Sequence, residues 1–415
     1  MDPIDFASSA RECLADTERL IRKHGPRLTG SPSCMAAGRD IARELEAFSD
    51  SVRVERFAVH PSSFYSYTKL LPVAYAAGFL VLAVLHRFFL VPIVGLLAGI
   101  VLMAGQFGFY RHLGDFFFPR RTGLNVEAVI EPAAVVEREL IISGHHDSAP
   151  IARIFSGPLH RMYAVAIFLP YVFFLFELVL LALPVLTGRA GSPSWTLPVL
   201  AVGFIPVAGY FLLVALRRGS PGAGDNLVAS MLAARVGREI ALRKAELLRS
   251  TRLRVVSFDA EEAGLRGAAA YMRAHSGDLG AVPCFHLNFD SIYQLAHLQA
   301  LTTDINGTIR LSAEMVATLQ ACARENGHDL RRFGMLFGAG GTDAAESARR
   351  GLAATTIIAM PTAIVRDGLV YHTPRDTVDH IEPGAVEACM KLAVSYLRRL
   401  EDGREAPSGA PGQPA

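Results

Sequence analysis

Charge is scarce in this 415-residue sequence. Asp, Glu, Lys and Arg supply 19% of it and hydrophobic residues 51%, where a typical soluble domain is about 25% charged. The mean hydropathy is +0.31. That balance excludes disorder as the main state and also an ordinary, fully soluble enzyme. Neither sign dominates, since the formal net charge is +2. A broad basic field of the kind that drives nucleic-acid binding is missing, and nucleic acid is not expected as a partner. Cysteine is sparse as well: Cys13, Cys34, Cys284, Cys322 and Cys389 are odd in number, scattered, and form no C-x-x-C pair. They read as free thiols. The opening residues Met1-Asp2-Pro3-Ile4-Asp5 lack a basic stretch leading into an apolar run, so no cleaved signal peptide is expected.

The apolar excess is concentrated in two places. Residues 70–110 are apolar apart from His86-Arg87, which divides them into runs of 16 and 23 residues. Residues 162–216 repeat that design around the turn-like stretch from Arg189 to Ser194. About 20 apolar residues cross the roughly 30 Å of a bilayer's hydrocarbon core, and helices satisfy their own backbone there. The expectation is four transmembrane helices in two hairpins, at residues 67–111 and 161–218. The first run is the short one and could instead be a re-entrant or buried segment. An even number of crossings returns the chain to the side it left, so residues 1–66, 112–160 and 219–401 can form one discontinuous domain. The Pro-, Gly- and Ser-rich tail, 402–415, is expected to be disordered.

Basic residues near the helix ends are lopsided. Arg53, Arg56, Lys69, Arg111, Arg120, Arg121, Arg153, Arg161, Arg217 and Arg218 lie on the domain side, and the hairpin tips hold Arg87 and Arg189. The positive-inside rule then predicts a multi-pass protein of the cell membrane, in contact with the lipid bilayer, with its domain on the cytoplasmic side. Glu177 falls within an apolar span, where an acid is functional or paired; pairing between the hairpins is the favoured reading.

Outside these runs the pattern is α/β. Residues 35–48 have helical spacing and 51–59 alternate as a strand. NVEAVIE, ELIISGHHD, RLRVVSFDAEE, CFHLNFDSI and ATTIIAM read as further strands. Helices are read at AGLRGAAAYMRAH and at 383–401. Alternating strands and helices favour a mostly parallel sheet covered on both faces.

Polar chemistry gathers where those strands end. In Gly144-His145-His146-Asp147-Ser148 the strand period puts His145 and Asp147 on one face and His146 on the other. Imidazole with a nearby carboxylate suits a metal ligand and its orienting partner, though taken alone a structural histidine fits better. Ser220-Pro221-Gly222-Ala223-Gly224-Asp225-Asn226 brings backbone close around one acid, or is a loop with a helix cap. Glu261 and Glu262 follow an apolar strand directly; they can divide metal binding and proton transfer between them, or favour a helix dipole. Asp290 ends another strand, and Tyr371-His372-Thr373-Pro374-Arg375-Asp376-Thr377 is a polar loop before the last helix.

The ordered set H-x-D, P-G-A-x-D-N, D-A-E-E-x-G-L-x-G, a strand-end Asp and Y-H-T-P-x-D-T closely resembles the M28 zinc peptidases, which include aminopeptidases and glutamate carboxypeptidases. The stretch from His24 to Pro32 and the strand beginning Gly123-Leu124-Asn125-Val126 are similar to the same family. The resemblance implies a zinc-exopeptidase three-layer α/β fold, here interrupted by two transmembrane hairpins, and a peptide substrate. It further implies two Zn2+ ions, one held by His145, Asp225 and Asp290 and the other by Asp225, Glu262 and His372. Asp147 would orient His145, and Glu261 would be the general base toward a water activated by the metals. An aminopeptidase is the first reading. A carboxypeptidase, a glutaminyl cyclase working with one zinc, and a non-catalytic membrane receptor on the same fold are the rivals; the full ligand set argues against the last two. Departures from the family are Gly224, where an acid or Asn is common, and Leu227-Val228-Ala229-Ser230 after Asn226. Thr342-Asp343 matches a family position read as structural, and His286 is read as a core residue that shares strand parity with Asp290. Nine residues from Leu216 to Asp225 span at most about 30 Å, so the site must lie near the membrane surface. The hairpins either flank the substrate entrance or serve as an anchor only.

Overall fold

The computed structural model describes residues 4–152, 163–188, 194–212, 214–361 and 370–403. Strands β1 (Ser51–Val59), β2 (Arg121–Ile130), β3 (Arg138–His145), β6 (Thr251–Phe258), β7 (Cys284–Ile292), β8 (Leu298–Asp304), β9 (Ile309–Arg310), β10 (Arg331–Gly334) and β11 (Ala353–Ala359) form one nine-stranded sheet. Two short strands, β4 (Pro150–Ala152) and β5 (Val214–Gly219), pair apart from it. The order is β1-β2-β6-β3-β7-β11-β8-β10, with β9 against β8. The central strands β6, β3, β7 and β11 run parallel, and their near-continuous apolar sequences are those of strands buried on both faces.

Helices cover both faces. On one side lie α1 (Phe6–His24) and α2 (Pro32–Glu46), joined further along the chain by the helices at Val228–Leu242, Ala313–Glu325 and Pro383–Glu401. They bury Leu20, Ile41, Leu45, Leu232, Leu319 and Leu397 against Leu140, Ile142, Val255 and Leu287 of the sheet. The intervening residues Ile141 and Val256 point the other way, onto Tyr271 and Met272 of the helix at Arg266–Ala274. This is the three-layer α/β fold with a mostly parallel central sheet that the sequence predicts. Capping is local and legible: Asp5 accepts the Ser8 N–H at 2.9 Å, Ser31 caps α2 ahead of Pro32, and Gly25 ends α1 at φ 63°.

Both apolar inserts leave from the mouth of an antiparallel pair and return to it. Val59 lies opposite Arg121 at the open end of β1–β2, and Ala152 lies opposite Val214 in β4–β5. The β1–β2 register is unbroken by the first insertion, and β4–β5 shifts register between Pro150 and Ile151. Four apolar helices result: α3 (Tyr67–Leu85), α4 (Leu90–Gly108), α5 (Tyr163–Thr187) and α6 (Thr196–Phe211). They share a core of their own, with Leu71, Tyr75, Leu96, Phe174, Leu181, Leu200 and Val207 buried. The Tyr75 hydroxyl donates to the Leu200 carbonyl at 2.7 Å. Their outer faces expose Val73, Leu90, Val91, Val94, Val172 and Ile205.

Three of the four helices, α3, α4 and α5, are long and apolar enough to cross a membrane. The expectation that the first run is the short one is corrected: it gains length at its start, from Tyr67, and forms a helix of 19 residues. The fourth is the short one, with 16 residues, or about 24 Å at 1.5 Å per residue. Glu177 is fully buried and packs on the opposite hairpin, where a Cβ added to Gly78 would lie 2.7 Å from its Cδ. It meets the other hairpin by packing, and neither of its oxygens has a hydrogen bond among the described residues. The tail from residue 404 onward and Arg153, Arg161 and Arg189 lie outside the described residues.

Gly267, in the helix behind the Glu261–Glu262 turn, has no space for a side chain. A Cβ there would lie 1.9 Å from the Asp259 carbonyl oxygen and 2.7 Å from Asn125 Oδ1. Gly267→Ala is therefore expected to cost about 1–3 kcal/mol as an overpacked site, read as a lowered Tm; an unchanged Tm would contradict this packing.

Candidate metal centre

The C-terminal ends of parallel strands converge on one buried pocket, the usual place for a ligand in an open α/β sheet. β3 delivers His145, the turn after β6 delivers Glu261 and Glu262, and β7 delivers Asp290. Asp225 comes from the glycine-rich loop and His372 from the loop before the last helix. His145 Nε2 lies 3.4 Å from Asp225 Oδ1, 3.6 Å from Glu261 Oε2 and 3.8 Å from Asp290 Oδ2. His372 Nε2 lies 3.0 Å from Asp225 Oδ2 and 3.4 Å from Glu262 Oε1. All six residues picked from the sequence around the metals are thus in one cluster, with the two Asp225 oxygens turned to different histidines.

The separations of 3.4–3.8 Å suit metal ions better than hydrogen bonds. Tetrahedral zinc with N and O ligands at about 2.0–2.1 Å places its ligand atoms about 3.3 Å apart. His145 Nε2, Asp225 Oδ2 and Glu262 Oε1 are buried and none makes a hydrogen bond of normal geometry. Such orphaned polar atoms are costly unless a further partner serves them. The donor set, imidazole nitrogens and carboxylate oxygens, suits zinc chemically.

Electrostatics point the same way. Burial pushes Glu261 well above the usual carboxylate range and raises Glu262 to about 8 and Asp290 to about 7. Burial acts on Asp225 too, but the His145 and His372 imidazoles beside it hold it below its ordinary value. Burial would lower His145, yet Glu261 and the neighbouring Asp147 and Asp225 carboxylates hold it well above; His372 is likewise raised to about 10, chiefly by Glu262. A pocket with this many acids crowded out of water calls for cations.

Asp147 is completely buried and does more than its place beside His145 suggests. Its Oδ1 lies 3.2 Å from His145 Nδ1 and accepts the Glu261 N–H at 3.2 Å, and its Oδ2 accepts the Glu262 N–H at 3.3 Å and the Thr29 hydroxyl at 2.7 Å. It thus contacts the imidazole and the backbone of the acidic turn together.

Several supporting residues have no role in the sequence reading. Arg27, fully buried, donates to the carbonyls of His146, Pro221 and Gly222, tying three loops together at 2.7–2.9 Å. Asp376 accepts the Gly224 and Asp225 N–H groups at 2.9 and 3.3 Å, which fixes the backbone that carries Asp225. The glycine at 224 has a reason, because a Cβ there would lie 2.1 Å from the Tyr293 ring. Asp343 is buried beside the site, with both oxygens lacking hydrogen bonds among the described residues; burial holds its carboxyl well above the usual range. Arg27 and Asp376 lay in quoted motifs and could have been found there, and Asp343 was read from the sequence as structural, whereas Tyr293 depends on long-range packing. His286 is a core residue, between the Ser143 and Ser347 hydroxyls at 2.6 Å each.

Residues 206–397 match the model of peptidase family M28. No curated protein matches the chain in sequence. Among solved structures, the zinc aminopeptidase BSAP from Bacillus subtilis is 13% identical, with a TM-score of 0.57 over 94% of this chain and 95% of that one. The aminopeptidase from Aneurinibacillus sp. strain AM-1 is 15% identical, with a TM-score of 0.54 over 95% of this chain and 93% of that one. The glutaminyl cyclase of Porphyromonas gingivalis is 12% identical, with a TM-score of 0.56 over 94% and 98%. At such identities the structures show a common fold. Family and fold together bear out the recognition made from the motifs and support a zinc metallopeptidase.

If Asp147 orients a metal-binding imidazole, Asp147→Asn should weaken zinc binding about 10–100-fold. Titration against a competing chelator measures this, and an unaltered affinity would refute the role.

Proposed function

From the match of residues 206–397 to peptidase family M28, we propose that this protein is a membrane-embedded di-zinc exopeptidase, acting first of all as an aminopeptidase. The observation that carries the reading is the spacing of His145, His372 and four acids, with Asp225 between the two histidines. His145, Asp225 and Asp290 would hold one zinc, and Asp225, Glu262 and His372 the other. Two zinc ions held there would polarise the scissile carbonyl and lower the pKa of a water. Glu261 stands 3.6 Å from His145 Nε2 and belongs to neither ligand set. It would take a proton from the water as the water oxygen bonds to the scissile carbonyl carbon, and hand that proton to the amine nitrogen as the C–N bond breaks. Asp147 keeps Glu261 in place through its backbone N–H and keeps His145 in the ligating tautomer. A site with ligands for two ions favours a peptidase over a cyclase that works with one.

Hydrolysis of free-amine and N-blocked peptide substrates by detergent-purified protein tests this, with Glu261→Gln alongside. Cleavage of the free-amine substrates is expected, lowered about 10²–10⁴-fold in the variant with zinc content unchanged. Preference for N-blocked substrates with a free carboxylate would move the assignment to a carboxypeptidase. Cyclisation with a single bound zinc would move it to a cyclase.

The four apolar helices are read as lying in the bilayer, with the peptidase domain on the arginine-rich, cytoplasmic side. The first hairpin is read as part of the substrate entrance. The residues flanking it pack close to the acidic turn: a Cβ on Gly264 would lie 2.6 Å from the Phe64 ring, and Phe64 in turn packs on Tyr65 and Tyr110 at 4.9 and 5.2 Å between ring centres. Alkaline carbonate extraction should leave the full chain in the membrane fraction; release into the supernatant would end the membrane reading. Replacing residues 154–218 with a short linker should change the profile of cleaved peptides, and an unaltered profile would reduce the second hairpin to an anchor.

A further inference from the structure

We propose that Cys34, His146 and Asp259 form a separate three-ligand metal site, suited to a zinc-like ion, on the far side of β3 from the candidate centre. Their ligand atoms all lie within 4.8 Å of one another, and all three residues are completely buried. Cys34 Sγ is 3.3 Å from Asp259 Oδ1, close to the spacing of about 3.3–3.5 Å between two ligands of a tetrahedral zinc ion.

The histidine supplies an independent pointer. His146 Nδ1 is engaged by the Ser257 hydroxyl at 2.9 Å, and Ser257 is held in turn by Ser230 at 2.8 Å. Nε2, facing the cluster, is buried without a hydrogen bond. One ring nitrogen anchored and the other left bare is how a ligating imidazole is arranged. The helix carrying the cysteine leaves room for it. Gly38, one turn beyond Cys34 in α2, would bring a Cβ to 3.0 Å from Nε2 and 2.7 Å from Leu124 Cδ2.

Charge favours an ion. Asp259 has a thiol and the Leu124 N–H, at 2.9 Å, as its partners, and no cationic side chain among its hydrogen bonds. A divalent ion held by one thiolate, one carboxylate and one neutral imidazole is electrically balanced, with the thiol proton released to solvent on binding. Thiolate with imidazole selects zinc or cobalt over calcium and magnesium, which take sets of six or more oxygens. Such an ion would clamp α2 to the ends of β3 and β6, directly behind His145 and Glu261.

The site can be seen without any activity measurement, because the candidate centre holds nitrogen and oxygen donors and Cys34 alone adds sulfur. Full-length protein produced in cobalt-supplemented, zinc-depleted medium should show a near-ultraviolet thiolate-to-cobalt charge-transfer band. Cys34→Ser should lose that band together with one equivalent of metal, and Cys389→Ser, altering another buried thiol, should keep both. No band in the parent protein, or a band that survives Cys34→Ser, would overturn the proposal. Should Cys34→Ser fail to fold, X-ray absorption of the zinc-loaded parent decides, with one sulfur at about 2.3 Å expected and a purely nitrogen and oxygen shell refuting it.

Discussion

A carboxylate with no access to water has to be served by several partners at once, and Asp147 shows what that demand organises. Thr29 and the backbone of Glu261 and Glu262 come from distant parts of the sequence, and they converge with the near neighbour His145 on its two oxygens. Each of those partners has its own dependence. Thr29 sits in the segment that Arg27 ties to the glycine-rich loop, and the same loop is held from the other side by Asp376. Asp225 between the histidines and the acidic turn opposite it are thus positioned by one connected polar network. Breaking one member of such a network leaves others buried and unserved, which costs more than the lost bond itself.

The second constraint is topological. A sheet whose centre is four parallel strands tolerates long excursions only where they leave no gap in the ladder. Both excursions here start and finish at neighbouring strand ends, Val59 beside Arg121 and Ala152 beside Val214. The helices they carry build their own apolar core and face outward with more apolar surface, a surface that water does not favour.

How much of this could be read in the sequence varies with the range of the interaction. The central strands were legible because burial on both faces makes them near-continuous apolar runs, and Cys284–Ile292 matches its predicted bounds, as does the edge strand Ser51–Val59, read from alternation. The site residues were legible because each stands at a strand end or within a short motif of fixed spacing. The opposite faces of His145 and His146 followed from strand period alone. What escaped was set by contacts across the fold. The strands β8 to β10 are short and are stabilised by packing on the sheet, whereas the helix at Phe6–His24 carries an amphipathic pattern and an Asp5 cap that were readable locally. Gly224 stood out as a departure from a family, and its reason, the ring of Tyr293, is supplied from about seventy residues away. Helix length in the apolar runs was misjudged at the ends, where Tyr67 and Thr68 extend a helix that hydropathy alone would start later.

The strand order carries a consequence for biosynthesis. β6 lies between β2 and β3, so the middle of the sheet stays open until residues 251–258 have left the ribosome. By then both groups of apolar helices have already been made, and of the candidate ligands His145 and Asp225 have emerged whereas Glu262, Asp290 and His372 have not. The chain must therefore settle its apolar helices while β2 and β3 still wait with unpaired edges, a state that invites wrong partners. Early disposal of the helices in a lipid phase would keep those edges away from the most adhesive part of the same chain, making insertion a folding aid before it is an anchor.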